Sequence, residues 1–244
     1  MVAPSQPANV AVAAKDEREG SLLPLLFVLT VVTGLVDAVS YLKLGHVFVA
    51  NMTGNVVFLG FAVAGAPGFS IPASLIAIGA FLAGALAGGR LASSMPEHRT
   101  RLVAIAVLVK LVLVGVALVV AITTTDLDAA PVQYGLIALL ALAMGLQNAA
   151  ARVLAVPDLT TTVLTLTLTG LAADSTPAGG SNPRAGRRLL ATGAMFLGAA
   201  IGAFLVLNIG MIAALALTFT VLAFNAIAAY RLWSQTRNAQ PSSP

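Results

Sequence analysis

The stretch His46-Val-Phe-Val-Ala50-Asn51-Met52-Thr53-Gly54-Asn55-Val56-Val-Phe-Leu-Gly60 sets short polar side chains around a glycine inside an otherwise apolar run. Hydrophobic residues make up 59% of the chain and charged ones 9%, and the mean hydropathy is +0.97. Soluble domains carry about a quarter charged residues, so this composition reads as an all-α integral membrane protein. Apolar segments run over residues 22–42, 47–66, 71–91, 102–123, 132–151, 153–173, 189–207 and 209–230. Each is close to the roughly 20 residues that cross a bilayer as a helix. A polar cluster in the second of them is therefore a candidate site.

Charge placement decides how many segments cross. Lys and Arg lie in the N-terminal tail, between Arg90 and Arg101, at Arg152, at Arg184, Arg187 and Arg188, and at Arg231 and Arg237; residues 65–70, 124–131 and 208–210 have none. Eight crossings from a cytoplasmic N-terminus would put Arg90, Arg99 and Arg101 outside, against the positive-inside tendency. If one member of each pair, 22–42 with 47–66 and 132–151 with 153–173, dips in and returns on the same side, every basic cluster except Lys43 becomes cytoplasmic. The expectation is about six transmembrane helices plus two re-entrant or broken segments, with both termini cytoplasmic. The alternative is eight spans in two parallel halves of four.

An internal repeat favours six. Gly34-Leu-Val-Asp-Ala38 resembles Gly145-Leu-Gln-Asn-Ala149, Met52-Thr53 resembles Leu164-Thr165, and Gly79, Gly84 and Gly88 match Gly193, Gly198 and Gly202 at nearly constant offset. Halves of about 21–123 and 132–230 with three crossings each make an inverted 3+3 repeat, a plan in which solute sites form from discontinuous helices near the bilayer midplane. The domain boundaries follow: a disordered tail over 1–20, one polytopic domain over 21–232, and a disordered tail over 233–244. The first dip is expected as a hairpin, helical over 46–52, turning at Thr53-Gly54 and helical again from Asn55, with free N–H groups at the second start suited to an anionic or carbonyl-bearing solute. The second would carry Pro157-Asp158-Leu-Thr-Thr-Thr162 and meet the first from the opposite side.

These same residues, Gly34 to Ala38, Gly45 to Asn55, and Gly145 to Ala149 followed by Thr160-Thr-Thr-Val-Leu-Thr165, resemble the YoaK-like family of bacterial integral membrane proteins. The resemblance covers roughly residues 22–230 and implies a multi-pass protein of the bacterial inner membrane; it implies no substrate. Relatives carry Gly after the threonine where Leu166 stands here, so the second hairpin is expected to depart from the first.

Among single residues, Asp37 stands out because a carboxylate within a membrane helix costs about 2.5 to 3.5 kcal/mol and normally faces a cavity or a partner. Its bland reading is position, since at 1.5 Å per residue it lies about 24 Å along its span, near the far interface. Its repeat partner Asn148, beside Gln147, keeps the position polar in both halves, which makes Asp37 a candidate proton or cation carrier. Lys110 lies about 13 Å deep, too far to snorkel fully, and either pairs with Asp37, meets an anion, or rests among helix carbonyls. Asn51, Thr53 and Asn55 line a cavity or lock helices together. Of the threonines from Thr160 to Thr169, Thr165 is favoured because it aligns with Thr53.

Other classes fall away. The chain has no cysteine and only His46 and His98, so neither disulfides nor a Cys- or His-based metal site is expected. The net charge of +4 sits at span ends and points away from nucleic acid. No nucleophile elbow, phosphate-binding loop or dinucleotide fingerprint occurs, and Glu17, Glu19 and Glu97 all lie outside the spans, so no enzyme, catalytic residue or cofactor is expected. The partners expected are the lipid bilayer and a small solute, and the pairs Gly84/Gly88 and Gly198/Gly202 suit a homo-oligomer as well as the internal fold. Three functions are consistent with this: a secondary transporter of a small solute, coupled to protons or a cation through Asp37; a channel with re-entrant filter segments; and a non-transporting scaffold or sensor.

Overall fold

The computed structural model describes residues 7–96, 98–154, 164–181 and 184–238, with side chains of the first helix from residue 20 onward. Eight α-helices follow in order: α1 Pro7–Lys43, α2 Met52–Val63, α3 Ile71–Ser93, α4 Arg99–Thr123, α5 Ala130–Leu154, α6 Leu164–Ala173, α7 Ala185–Asn208 and α8 Met211–Asn238. No strand occurs among the described residues. Six helices are long and apolar enough to cross a membrane: α3, α4, α5, α7, α8 and the Gly20–Lys43 part of α1. At 1.5 Å per residue, α2 reaches only about 18 Å, and the described part of α6 about 15 Å, against a hydrocarbon core of about 30 Å. The chain is an all-α membrane protein with, among the described residues, six helices long and apolar enough to cross and two shorter ones.

One local expectation is corrected, and two helices run beyond the apolar segments. Helix α1 begins at Pro7, and alanine, lysine, glutamate and arginine over residues 7–20 are strong helix formers. Helix α8 runs on to Asn238. The first dip is not a hairpin of two helices. Residues 44–51 are non-helical, and Thr53 and Gly54 belong to the first turn of α2. Gly45 at φ +89 and His46 at φ +55 reverse the chain. Beyond them the backbone N–H groups find side-chain acceptors instead of helix carbonyls.

Packing is built on glycine. A Cβ at Gly34 would meet the backbone of Met195 and Ala199, one at Gly198 the carbonyl of Val31, and one at Gly202 the backbone of Leu35. Thus α1 lies backbone to backbone along α7. The same holds for α3 along α5, where Gly84 abuts Leu142, Gly88 abuts Leu146, and Gly145 abuts Phe81. Apolar side chains gain little by leaving lipid for protein, so such close approach, with its dispersion contacts, is the driving force available. The glycine pairs suited to an oligomer are therefore used inside one chain.

Three further pairings complete the bundle: α4 against α8, α4 against α5, and α8 against α1. The central helices α1 and α5 are the most buried of the six, yet they touch one another only marginally. Phe196, Phe204, Phe224, Leu82 and Val112 face outward, as lipid-exposed side chains should. The arginine-bearing ends gather on one face, where Thr100 Oγ1 lies 3.0 Å from Thr236 Oγ1 and Arg101 stands 5.9 Å over the Trp233 ring. On the opposite face the Gln133 side chain donates to the Lys43 carbonyl at 3.4 Å.

Candidate functional site

The non-helical segment 44–51 turns back into the bundle and is held by two side chains. Asp37 lies a turn and a half before the end of α1, and its Oδ1 accepts from the N–H groups of Val49 at 3.1 Å and Ala50 at 2.9 Å. Asn55, in the first turn of α2, accepts from the Phe48 N–H at 2.8 Å through Oδ1 and donates to the Phe48 carbonyl at 2.5 Å through Nδ2. Both side chains are buried. Lipid supplies no hydrogen bonds, so irregular backbone at this depth requires such partners. At the surface, His46 Nδ1 pairs with the Gly68 carbonyl at 3.0 Å, and Tyr41 stacks on Phe48 with centroids 5.0 Å apart. The segment is a plug, latched below by Asp37 and Asn55 and roofed by rings.

One turn below Asp37 on α1, a second polar group crosses the bundle. Lys110 of α4, 1% exposed, donates from Nζ to Gln147 Oε1 of α5. Gln147 Nε2 donates to Thr33 Oγ1 at 3.3 Å, and Thr33 donates to the Leu29 carbonyl at 2.8 Å. This ladder bridges α1 and α5 where the two helices scarcely meet. Asp37 and Lys110 make no ion pair within 4 Å, although each lies in the other's electrostatic field. The second carboxylate oxygen of Asp37 is buried without a hydrogen-bond partner.

Below the ladder lies a cavity of about 20 Å³ between α1, α4 and α5. Leu26, Leu29, Val107 and Leu154 form apolar walls, and Lys110 and Gln147 close its deep end. It extends along α4 toward Arg101 and along α5 toward Arg152, that is, toward the arginine-bearing face. A hole of this size holds about one water molecule. From that face inward the order is cavity, Lys110 ladder, Asp37 and plug.

The expected residues are thus only partly brought together. Lys110 and Gln147 join directly, Asp37 sits a turn away, and Asn55 secures the same plug as Asp37. Asn148 is half-buried beside Gln147 and engaged in its own contacts. Asn51 and Thr53 are exposed and hold no part of the ladder; Asn51 is the N-cap of α2 without a capping hydrogen bond. Thr165 is exposed, and the buried threonine of α6 is Thr167, two residues on. Asn55 is the buried polar residue of α2 and Thr167 that of the described part of α6. Residues 157–162 lie outside the described residues. Sequence reasoning missed Thr33, although it precedes Asp37 by one turn, and Asn225, a buried amide in an apolar segment that donates to the Leu25 carbonyl at 3.2 Å.

Comparison with known proteins gives a family and no chemistry. Residues 25–228 match the family described as Protein of unknown function (DUF1275). The chain is 33% identical over 155 residues to UPF0700 transmembrane protein YoaK of Bacillus subtilis (strain 168), an alignment covering 62% of this chain and 65% of that protein. No solved structure matches.

Proposed function

We propose that this chain, which belongs to the family described as Protein of unknown function (DUF1275), is a non-enzymatic secondary transporter of a small solute in the bacterial inner membrane. The observation that carries the reading is the buried ladder Lys110, Gln147 and Thr33 spanning α1 and α5 beside a cavity, with the re-entrant plug above it. Buried ionisable groups in membrane helices mark substrate or ion paths by default. A cavity that extends toward one face, with a plug toward the other, is consistent with one end state of an alternating-access cycle.

The helix pairing supports an inverted 3+3 repeat. Matching α1, α2, α3 and α4 with α5, α6, α7 and α8 turns the α1 to α7 contact into the α5 to α3 contact, and the α4 to α5 contact into the α8 to α1 contact. Each pairing in one half has its counterpart in the other. The axis of such a repeat passes between α1 and α5, where the ladder lies. Asp37 is then the coupling residue, because a buried carboxylate oxygen without a partner beside the plug suits a proton or cation. By the positive-inside tendency the arginine-bearing face is cytoplasmic and both termini lie there.

The test is flux in proteoliposomes, screened over small solutes with imposed solute and proton gradients. Saturable, gradient-driven accumulation supports the transporter. Current linear in driving force without saturation would make the protein a channel. A scaffold, the reading favoured by the wholly internal hydrogen bonds of Asn55, would give a stable reconstituted protein with no flux of any solute.

A further inference from the structure

The Lys110 pocket has a chemistry that names a ligand class. An ammonium carries three donors and no acceptor. Among the described residues, Nζ has one hydrogen-bond partner, the neutral carbonyl oxygen of Gln147. The nearby carboxylate does not supply the others: Asp37 Oδ1 is committed to Val49 and Ala50, and its Oδ2 has no hydrogen-bond partner, Nζ included. Among the described residues, therefore, no anion lies within hydrogen-bond reach of Nζ, and a cavity lies beside it. Gln147 cannot swing away to make room without releasing Thr33.

The walls narrow the class further. Leu26, Leu29, Val107 and Leu154 offer no hydrogen bonds, so only one end of a ligand is polar. One ammonium satisfies a single carboxylate. A phosphate or sulfate, with more oxygens and more charge, would bury acceptors that nothing here meets, and an amine would meet like charge. The arginines on the face toward which the cavity extends raise the local concentration of anions. The cavity of about 20 Å³ is small, and three of its wall residues are leucines, Leu26, Leu29 and Leu154, beside the shorter Val103, Ala106, Ala150 and Ala151. A ligand larger than water requires rotamer changes of those leucines, and no glycine of the α1 to α7 or α3 to α5 seam lines the cavity.

We propose that Lys110 and the apolar walls below it bind a small amphiphilic monoanion, a short-chain monocarboxylate, with its carboxylate on Nζ and its alkyl chain along Leu26, Leu29 and Leu154. This deepens the transporter reading by naming the substrate class of the same site. Binding is measured by isothermal titration calorimetry on the full chain in nanodiscs of zwitterionic lipid, with butyrate, acetate, butylammonium and inorganic phosphate as probes. Butyrate binds saturably, acetate more weakly by about fourfold per methylene lost, and butylammonium and phosphate do not bind. K110M loses at least tenfold in butyrate affinity. L29F, which fills the pocket and leaves the charge, does the same and decides the matter if K110M fails to fold. Butyrate affinity unchanged in either folded variant, or phosphate or butylammonium binding as tightly as butyrate, overturns the proposal. Butyrate binding without flux of any solute would leave the site standing and remove the transporter. Flux of another solute, unchanged by K110M and without butyrate binding, would remove the site and leave the transporter.

Discussion

Asp37 does two things that one pair of substitutions separates. Its Oδ1 satisfies two buried backbone N–H groups of the plug, and its other oxygen has no partner. Asp37→Asn keeps an acceptor of the same shape, whereas Asp37→Leu leaves both N–H groups unpaired, at about 1 to 3 kcal/mol each. Thermal unfolding in detergent is expected to show D37N close to the parent and D37L several degrees lower. If Asp37 couples transport, D37N nonetheless loses the dependence of flux on the proton gradient. D37L as stable as the parent would show that the plug does not depend on the latch. The neighbouring polar residues differ in kind. A carboxamide has a donor and an acceptor side by side, and Asn55 uses both on the backbone N–H and carbonyl of Phe48, while exposed Asn51 and Thr53 do not share its role. The motif announced a polar break in a membrane segment; which of its members hold the break depended on the direction of each side chain around the first turn of α2, and composition carries no such information.

Glycine decides the elements. Gly84 and Gly198 let helices from different parts of the chain touch through their backbones, whereas Cβ atoms at Gly79 and Gly193 would meet nothing within 4 Å. Gly84→Ala and Gly198→Ala are therefore expected to lower the unfolding temperature and the yield of monodisperse protein, since each added methyl runs into a carbonyl of the facing helix. Gly79→Ala and Gly193→Ala remove a flexible residue from an exposed helix face and are neutral or stabilising, by up to about 1 kcal/mol. Equal loss in all four variants would mean that general helix effects, not the seams, set stability. The spacing of these glycines, the lengths of the apolar segments and the arginine distribution were all legible, and they yielded the number of long helices and the two short ones. The plug was not. Its conformation rests on Asp37 reaching residues 49 and 50 and on His46 at positive φ, contacts between positions that a linear reading treats as separate spans.

Across the whole molecule, inverted transport repeats require both termini and every arginine cluster on one side of the membrane, with residues 64–70 and 124–129 on the other. The cysteine-free chain makes this directly testable. Single cysteines at Pro67 and Thr125 probe one face, and at Ser94 and Ser181 the other; all four positions are exposed. With a membrane-impermeant thiol reagent on intact cells, Pro67 and Thr125 variants are expected to label, and Ser94 and Ser181 variants only after permeabilisation. The reverse pattern at all four sites would mean six crossings with the arginines outside, which would turn the Lys110 cavity toward the exterior and make it an uptake-facing pocket. Labelling at Ser94 with protection at Pro67, Thr125 and Ser181 has a different meaning. It would require α2 to cross although its 12 residues span about 18 Å of a core of about 30 Å, and the two-fold relation that places the ladder between equivalent helices would fail with it.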